Sequence, residues 1–327
     1  MVLWCERQEG WDKSCRIKIL ECRSLDSQAV IPAQIEGEPV TELSPYLFSD
    51  HKKDEEKESG NRFWWSDAGG RTDTGKAWEL PVLKGDQLKE LHLPPTLKKV
   101  GAYGFYNCDK IEELEVYSTT LDWGVGVFTG CKGIRSLTIH VDEGQKSCMK
   151  ELLSELRQTL FVTYLGEQEA RLIFSEFFEE AVENTPARIL VTNTHGCGKR
   201  YRNAFVDTRF QFKEYDSLFP HIQVQEPEEL AARMALGRLI CPCQLTEKYE
   251  EMYKQYLEEH KVAAACQAVK YQNMEELRWM MEHISYDAGQ MEQVIEAAGT
   301  FGQTEMTSYL MEEIRKRGNR KRRTFRL

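Results

Sequence analysis

The sequence predicts an α+β chain, a short repeat solenoid followed by a mainly helical domain, and three observations carry that prediction. Leucines or their isosteres recur every 23 residues, as Leu88-x-x-Leu91-x-Leu93, Ile111-x-x-Leu114-x-Val116 and Ile134-x-x-Leu137-x-Ile139. Each copy continues alike, with Phe105 matching Phe128 and Cys108 matching Cys131. Near residue 146 the apolar spacing changes from strand-like alternation to i, i+3, i+4. A unit of this length with an L-x-x-L-x-L heart is one turn of a leucine-rich solenoid, which cannot bury its apolar face alone and stacks on its neighbours. The boundaries that follow are 1–145 for the repeat domain, with a loop insertion near 50–86, and 146–327 for the helical domain, with a small extended segment near 188–224.

Within the repeat domain, Arg16 to Leu20 alternates like a capping strand. A degenerate unit follows, in which Val40-x-x-Leu43 and Phe48 match Leu97-x-x-Val100 and Phe105, and Ile31-Pro32 echoes Leu93-Pro94. About four coils result, with the short alternating segments Leu91 to Leu93 and Leu137 to Ile139 as their inward-facing strands. Phe105 should plug its coil from the opposite side, and the paired thiols should fill small turn cavities rather than bridge.

The units resemble the leucine-rich repeats of bacterial BspA-type proteins, which read roughly L-x-x-I-x-I-P-x-x-V-x-x-I-G-x-x-A-F-x-x-C. The residues that carry the likeness are Leu88, Leu91, Leu93, Pro94, Leu97, Val100, Gly101, Phe105 and Cys108, with Gly104 in place of the usual Ala and Tyr117 in place of Pro in the next unit. The resemblance spans roughly residues 28 to 141. It implies surface adhesion or protein–protein binding.

The insertion Asp50 to Asp86 opens on a charged, solvated run, Lys52 to Asn61, and then brings Phe63, Trp64, Trp65 and Trp78 among glycines. These tryptophans either fold back over the solenoid edge and shield it, or supply partner contacts, since tryptophan is enriched where interfaces are most energetic.

In the second domain, Met149, Leu152, Leu153, Leu156 and Leu160 suggest one helix, and Ala170, Ile173, Phe174, Phe177, Phe178 and Ala181 a second that Pro186 stops. Arg188 to Val191 and Ala204 to Phe212 look extended, and Leu218 to Pro220 looks like a turn. Between the extended pieces, His195, Cys197, Arg200 and Arg202 gather in a loop that a hairpin turn explains. Two other readings of that loop stay open. A Cys197 nucleophile with His195 as base would make an enzyme. Alternatively, zinc could be held by His195, Cys197, Cys241 and Cys243, although C-x-C is tighter than the usual zinc spacer and Pro242 also simply ends a helix begun after Pro227. Arg200 and Arg202 are candidate binding residues in the same loop. The segment Gly196 to Arg200 lacks phosphate-loop spacing. Farther on, Thr246 and Asn273 are set to cap helices. The stripes Met291–Ala298 and Met306–Ile314 form a helical hairpin around Gly299 to Thr304.

Composition narrows the function. The chain has 327 residues, 41% of them hydrophobic, and a net charge of -10, which argues against nonspecific nucleic-acid binding by the body of the protein. RNA or an acidic membrane surface could engage only the basic end, Arg315 to Arg326, expected as a mobile tail beyond Gly318. No apolar run is long enough to span a membrane. Ten cysteines spread singly suit a reducing compartment, so a cytoplasmic location is expected, with the cell surface requiring a leader upstream. The favoured reading is noncovalent recognition of another protein, or a scaffold, with no cofactor.

Overall fold

The computed structural model describes residues 1–10, 13–51, 60–184 and 189–324, in two compact units, Met1–Gln211 and Phe212–Leu327. The run at 52–59, Pro186 and the last residues of the basic tail lie outside the described residues.

The first unit is built on the repeat. Its six-stranded sheet runs in the order Glu169–Phe174, Leu160–Leu165, Ser136–His140, Glu113–Tyr117, Glu90–His92, Gln28–Val30. All neighbours pair in parallel except the first two strands. The register sets Ala29, Leu91, Leu114, Leu137 and Val162 in one row, and Val116, Ile139 and Tyr164 in a second. Every one of these side chains is buried. Alternation therefore does what the 23-residue period requires, pointing one aliphatic row per strand into a shared dry interior.

Across that interior an eight-stranded sheet runs Asp122–Trp123, Lys99–Val100, Glu38–Leu43, Cys15–Arg23, Val2–Glu9, Arg62–Ser66, Gly70–Thr72, with Gln34–Ile35 beside Glu38–Leu43. Phe48, Phe105 and Phe128 stack between coils at 5.9 and 5.6 Å. The Cys108 thiol donates to the Phe48 carbonyl at 3.6 Å, and the Cys131 thiol to the Phe105 carbonyl at 2.9 Å. Each thiol thus reaches back one coil. Burial pushes the Cys108 thiol up and the Cys131 thiol up to about 12, which keeps both protonated and unreactive. The coils approach so closely at their turns that a Cβ on Gly101 would lie 2.3 Å from the Pro45 nitrogen, and one on Gly124 2.4 Å from the Ala102 nitrogen.

Three expectations need correction. The insertion is not a plain loop: Arg62–Ser66 and Gly70–Thr72 form a hairpin that extends the eight-stranded sheet beyond Val2–Glu9, followed by a helical turn, Thr74–Trp78. The helix begun at Met149 ends at Glu155, and Leu160–Leu165 is a fifth parallel strand. The second expected helix is absent. Ala170, Leu172 and Phe174 alternate inward along Glu169–Phe174, and Phe178–Asn184 pairs with Ile189–His195 as a two-stranded ribbon. Both i, i+4 and i, i+2 templates fit that apolar stretch, and pairing along the open edge of the parallel sheet selects the second. The parallel ladder accordingly runs on to Leu165, and the compact unit that contains it to Gln211.

The second unit is helical: Phe212–Ser217, Phe219–Gln225, Glu228–Ile240, Glu247–Lys270, Met274–His283, Ala288–Thr300 and Thr304–Thr324. The expected turn at Leu218 to Pro220 is instead the start of a helix with Pro220 in its first turn, where its missing N–H costs nothing. The 24-residue helix is broken at His260 (φ -114°, ψ 16°). Asn273 accepts from the Glu276 amide at 3.1 Å, and Asp287 with Gln290 forms a reciprocal capping box. Thr246 occupies its expected cap position without a side-chain capping bond. The final helix continues through Gly318, where a mobile tail was expected; one glycine inside a helix costs only about 1 kcal/mol. Among the described residues no helix is long and apolar enough to cross a membrane.

Candidate recognition surface

The parallel sheet that buries one set of side chains must turn the alternate set outward. Its outward rows follow the same register: Gln28, Glu90, Glu113, Ser136 and Phe161, then Val30, His92, Glu115, Thr138 and Thr163. A third, shorter row holds Tyr117, His140 and Leu165.

Neighbouring side chains in these rows are tied together. His92 Nδ1 lies 2.5 Å from Glu115 Oε2, and His140 Nε2 lies 2.6 Å from Glu115 Oε1. The Gln28 amide nitrogen lies 3.1 Å from His92 Nε2, which suits the tautomer of His92 that donates from Nδ1 and accepts at Nε2. Tyr117 stacks on His140 at 4.3 Å and 8°. Burial acts against the Glu115 charge, but the hydrogen bonds from His140 and His92 outweigh it and hold the carboxyl below its usual range. The result is a half-buried polar strip with side chains fixed before any partner arrives, the condition that lowers the ordering cost of binding. The L-x-x-L-x-L pattern marks the core leucines and leaves unmarked the residue between the last two, which faces outward. That residue is His92, Glu115 and Thr138 in successive units, so the signal was present at the same period.

The residues singled out from sequence are placed elsewhere. Trp64 is 5% exposed and packs on Trp4 at 4.8 Å, clustered with Val2 and Ala77. The Arg23 guanidinium lies over Trp78 at 4.3 Å and over Trp64 at 5.6 Å. Trp65 is half-buried opposite Leu3, and Trp78 keeps 49% of its surface exposed. The tryptophan segment thus folds back over the sheet end.

Arg202 is buried, and all five of its N–H donors meet backbone carbonyls, those of Leu153, Leu156, Gln158, Ser175 and Gly198, at 2.5–3.2 Å. Phe177 stacks under it at 5.1 Å. It is a clamp on the chain's own backbone and unavailable to a ligand; Arg200, two residues earlier, is exposed. Cys197 is fully buried, its sulfur 3.2 Å from Ser175 Oγ. His195 is exposed, stacked on Phe178 at 4.5 Å and 3.5 Å from Glu180. Gly196, at φ +81°, turns the chain between them, so one side chain goes inward and the other stays on the ribbon. That geometry does not assemble a nucleophile and its base. In the second unit, the turn Cys241–Cys243 is held by its carbonyls: Arg238 donates to Cys241 O at 3.4 Å and Cys243 O at 2.9 Å, while pairing with Asp216 at 2.8 and 3.0 Å. Among the described residues, no group of three or more His, Cys, Asp or Glu side chains is arranged to hold a metal ion.

Residues 83–165 match the family model described as BspA type Leucine rich repeat region (6 copies). No curated protein sequence matches the chain. Among solved structures, the chain is similar to the T. pallidum leucine-rich repeat protein, at 16% identity and a TM-score of 0.28, covering 50% of this chain and 61% of that one. It is also similar to a leucine-rich repeat protein from Bacteroides ovatus, at 15% identity and a TM-score of 0.23, covering 49% and 36%. The chain therefore spans under two thirds of the length of either. On the family match and the stacked register together, an N-terminal region of this chain forms a short BspA-type leucine-rich repeat solenoid.

Proposed function

We propose that the chain binds another protein noncovalently, as a recognition or scaffold module, and that the outward face of the parallel sheet makes the contact. The leucine-rich solenoid supports an interaction role. The observation that carries the choice of face is the strip Gln28–His92–Glu115–His140–Tyr117, whose side chains are fixed by one another on a surface held rigid by the aliphatic rows beneath. Stacked coils present such a surface without any residue having to move, whereas the tryptophans of the insertion are engaged with the sheet end.

Thr138→Trp tests this. Thr138 sits in the middle of the outward rows, between Glu115 and Thr163, and a large ring there blocks the face while suiting a strand. Proteins captured from the native lysate by the parent and lost with Thr138→Trp, at unchanged thermal stability, support the face. Identical capture by both forms refutes it. We further propose a reducing compartment, such as the cytoplasm, supported by ten thiols of which none is in a disulfide. Mass mapping of the native protein under non-reducing conditions tests that reading.

A further inference from the structure

We propose that the first unit carries a second contact, a cleft between Trp123–Phe128 and the helix Met149–Glu155 that accepts one lysine or arginine side chain of a protein partner. This rests on the recognition reading above and names a chemical feature the partner presents.

The cleft is about 160 Å³, walled by Val127, Phe128 and Leu152, with Trp123 on one side and Glu151 and Glu155 on the helix side. Pockets for cofactors and drug-sized ligands are usually ~300 Å³ or larger, so this volume suits the end of a single side chain. The walls are buried and apolar. The Trp123 indole N–H donates to the Thr120 carbonyl at 2.6 Å, and Phe128 backs the ring at 5.4 Å. With its polar atom already bonded, the half-buried indole offers its π surface. Gly124 fixes the segment against the preceding coil, where no side chain would fit.

The charges are independent of that geometry and point the same way. Glu151 and Glu155 are exposed, four apart on one helical face, and among the described residues neither is paired with a cation. Like charges at this spacing disfavour a helix. Glu155 is also the last helical residue, where the helix dipole favours positive charge. Lys99, on the neighbouring coil, pairs with Asp122 at 3.6 Å. A cationic side chain entering the cleft would relieve both unfavourable terms, lay its aliphatic stem along Val127 and Leu152, and set its charge near the indole. A neutral apolar side chain would gain only the burial. Leu121 and Val125, two residues to either side of Trp123 in sequence, are exposed.

The test uses the full chain labelled with 5-fluorotryptophan, the Trp123 signal being assigned from its loss in Trp123→Phe. Acetyl-Gly-Lys-Gly-amide, its arginine analogue and its norleucine analogue are titrated by 19F NMR. The cleft predicts a saturable Trp123 shift with at least one cationic peptide in the millimolar range, weakened at least tenfold in the Glu151→Gln/Glu155→Gln double variant and by added salt. Both substitutions are on the surface, and the parent thermal stability checks that the variant folds. Equal binding of the norleucine peptide, equal binding by the double variant, or no saturation with either cation overturns the proposal. If the cations fail while Thr138→Trp still abolishes partner capture, the cleft falls and the sheet-face reading stands. If they bind through the two glutamates while Thr138→Trp is harmless, the cleft stands and the sheet face falls.

Discussion

The most deeply buried guanidinium of each unit, Arg202 in the first and Arg238 in the second, is satisfied in its own way. Arg202, in the repeat unit, has all five donors on main-chain carbonyls, and burial lowers its pKa to about 10. Arg238, in the helical unit, is just as deeply buried, but a two-pronged bond to Asp216 outweighs that burial and raises its pKa. Tyr253 donates to the same carboxylate at 2.8 Å. Both arginines remain charged at neutral pH. The difference lies in what each one replaces. Arg202 does the work of secondary structure where the coils stop repeating and carbonyls are left without strand partners. Arg238 and Asp216 form a side-chain pair inside a helical core that has its own backbone bonds.

The largest effect should therefore come from Arg202→Met. It orphans several buried carbonyls together, and at about 1–3 kcal/mol for each orphaned group the loss should reach about 5 kcal/mol. Urea unfolding would show the repeat unit melting early, with no second substitution able to restore it. Asp216→Ala should cost about 3–5 kcal/mol, because a buried charge loses its partner. Here the contrast sharpens. Replacing the whole cluster, as Asp216→Leu with Arg238→Met and Tyr253→Phe, should recover much of the loss, since apolar groups often replace buried ion pairs at little cost, with the Cys241 and Cys243 carbonyls that Arg238 also served as the shortfall. Equal rescue at both sites, or at neither, would break the comparison.

Smaller changes probe the rows themselves. Leu114→Ala removes the central member of the inward row and should cost about 3 kcal/mol, whereas Thr138→Ala, one residue beyond that row's member on the next strand and on the outward side, should cost under about 1 kcal/mol. The smallest effect concerns pH. Glu115 has its folded pKa below the usual 4.5, so its stabilisation is complete above that value and is lost as pH falls through the lowered one. Glu115→Gln should therefore be less stable than the parent at neutral pH, by no more than about 1 kcal/mol for so open a cluster, and equal to it in strong acid. Unfolding curves at the two pH values check both size and sign.

The repeating part of the molecule was legible because each element is specified more than once. Leu91, Leu114 and Leu137 share one spacing, and Phe48, Phe105, Cys108 and Cys131 fall into step with it. The fifth strand was not legible, since Val162 pairs with Leu137 at an offset of 25 rather than 23 and follows a short helix whose apolar pattern runs on to Leu160. Gln158 fastens that coil by donating to the Cys131 and Ile134 carbonyls, a bond no spacing announces. Arg202 stands as a candidate binding residue in the sequence because Lys199, Arg200 and Arg202 look alike locally; which one turns inward is set largely by carbonyls 27 to 49 residues away. For the recognition face, the pattern was present at the repeat period, but its meaning depended on the parallel register that brings Glu115 between two histidines.

The most direct measurement of the central claim is site-specific photo-crosslinking. A benzoylphenylalanine at Thr138 or Thr163 on the outward sheet face is compared with one at Gln34, an exposed position off that face. If the face is the contact, the first two positions join a discrete partner in the native lysate and Gln34 does not. A partner joined at Gln34 as efficiently as at Thr138 and Thr163, or at Gln34 alone, would contradict the account.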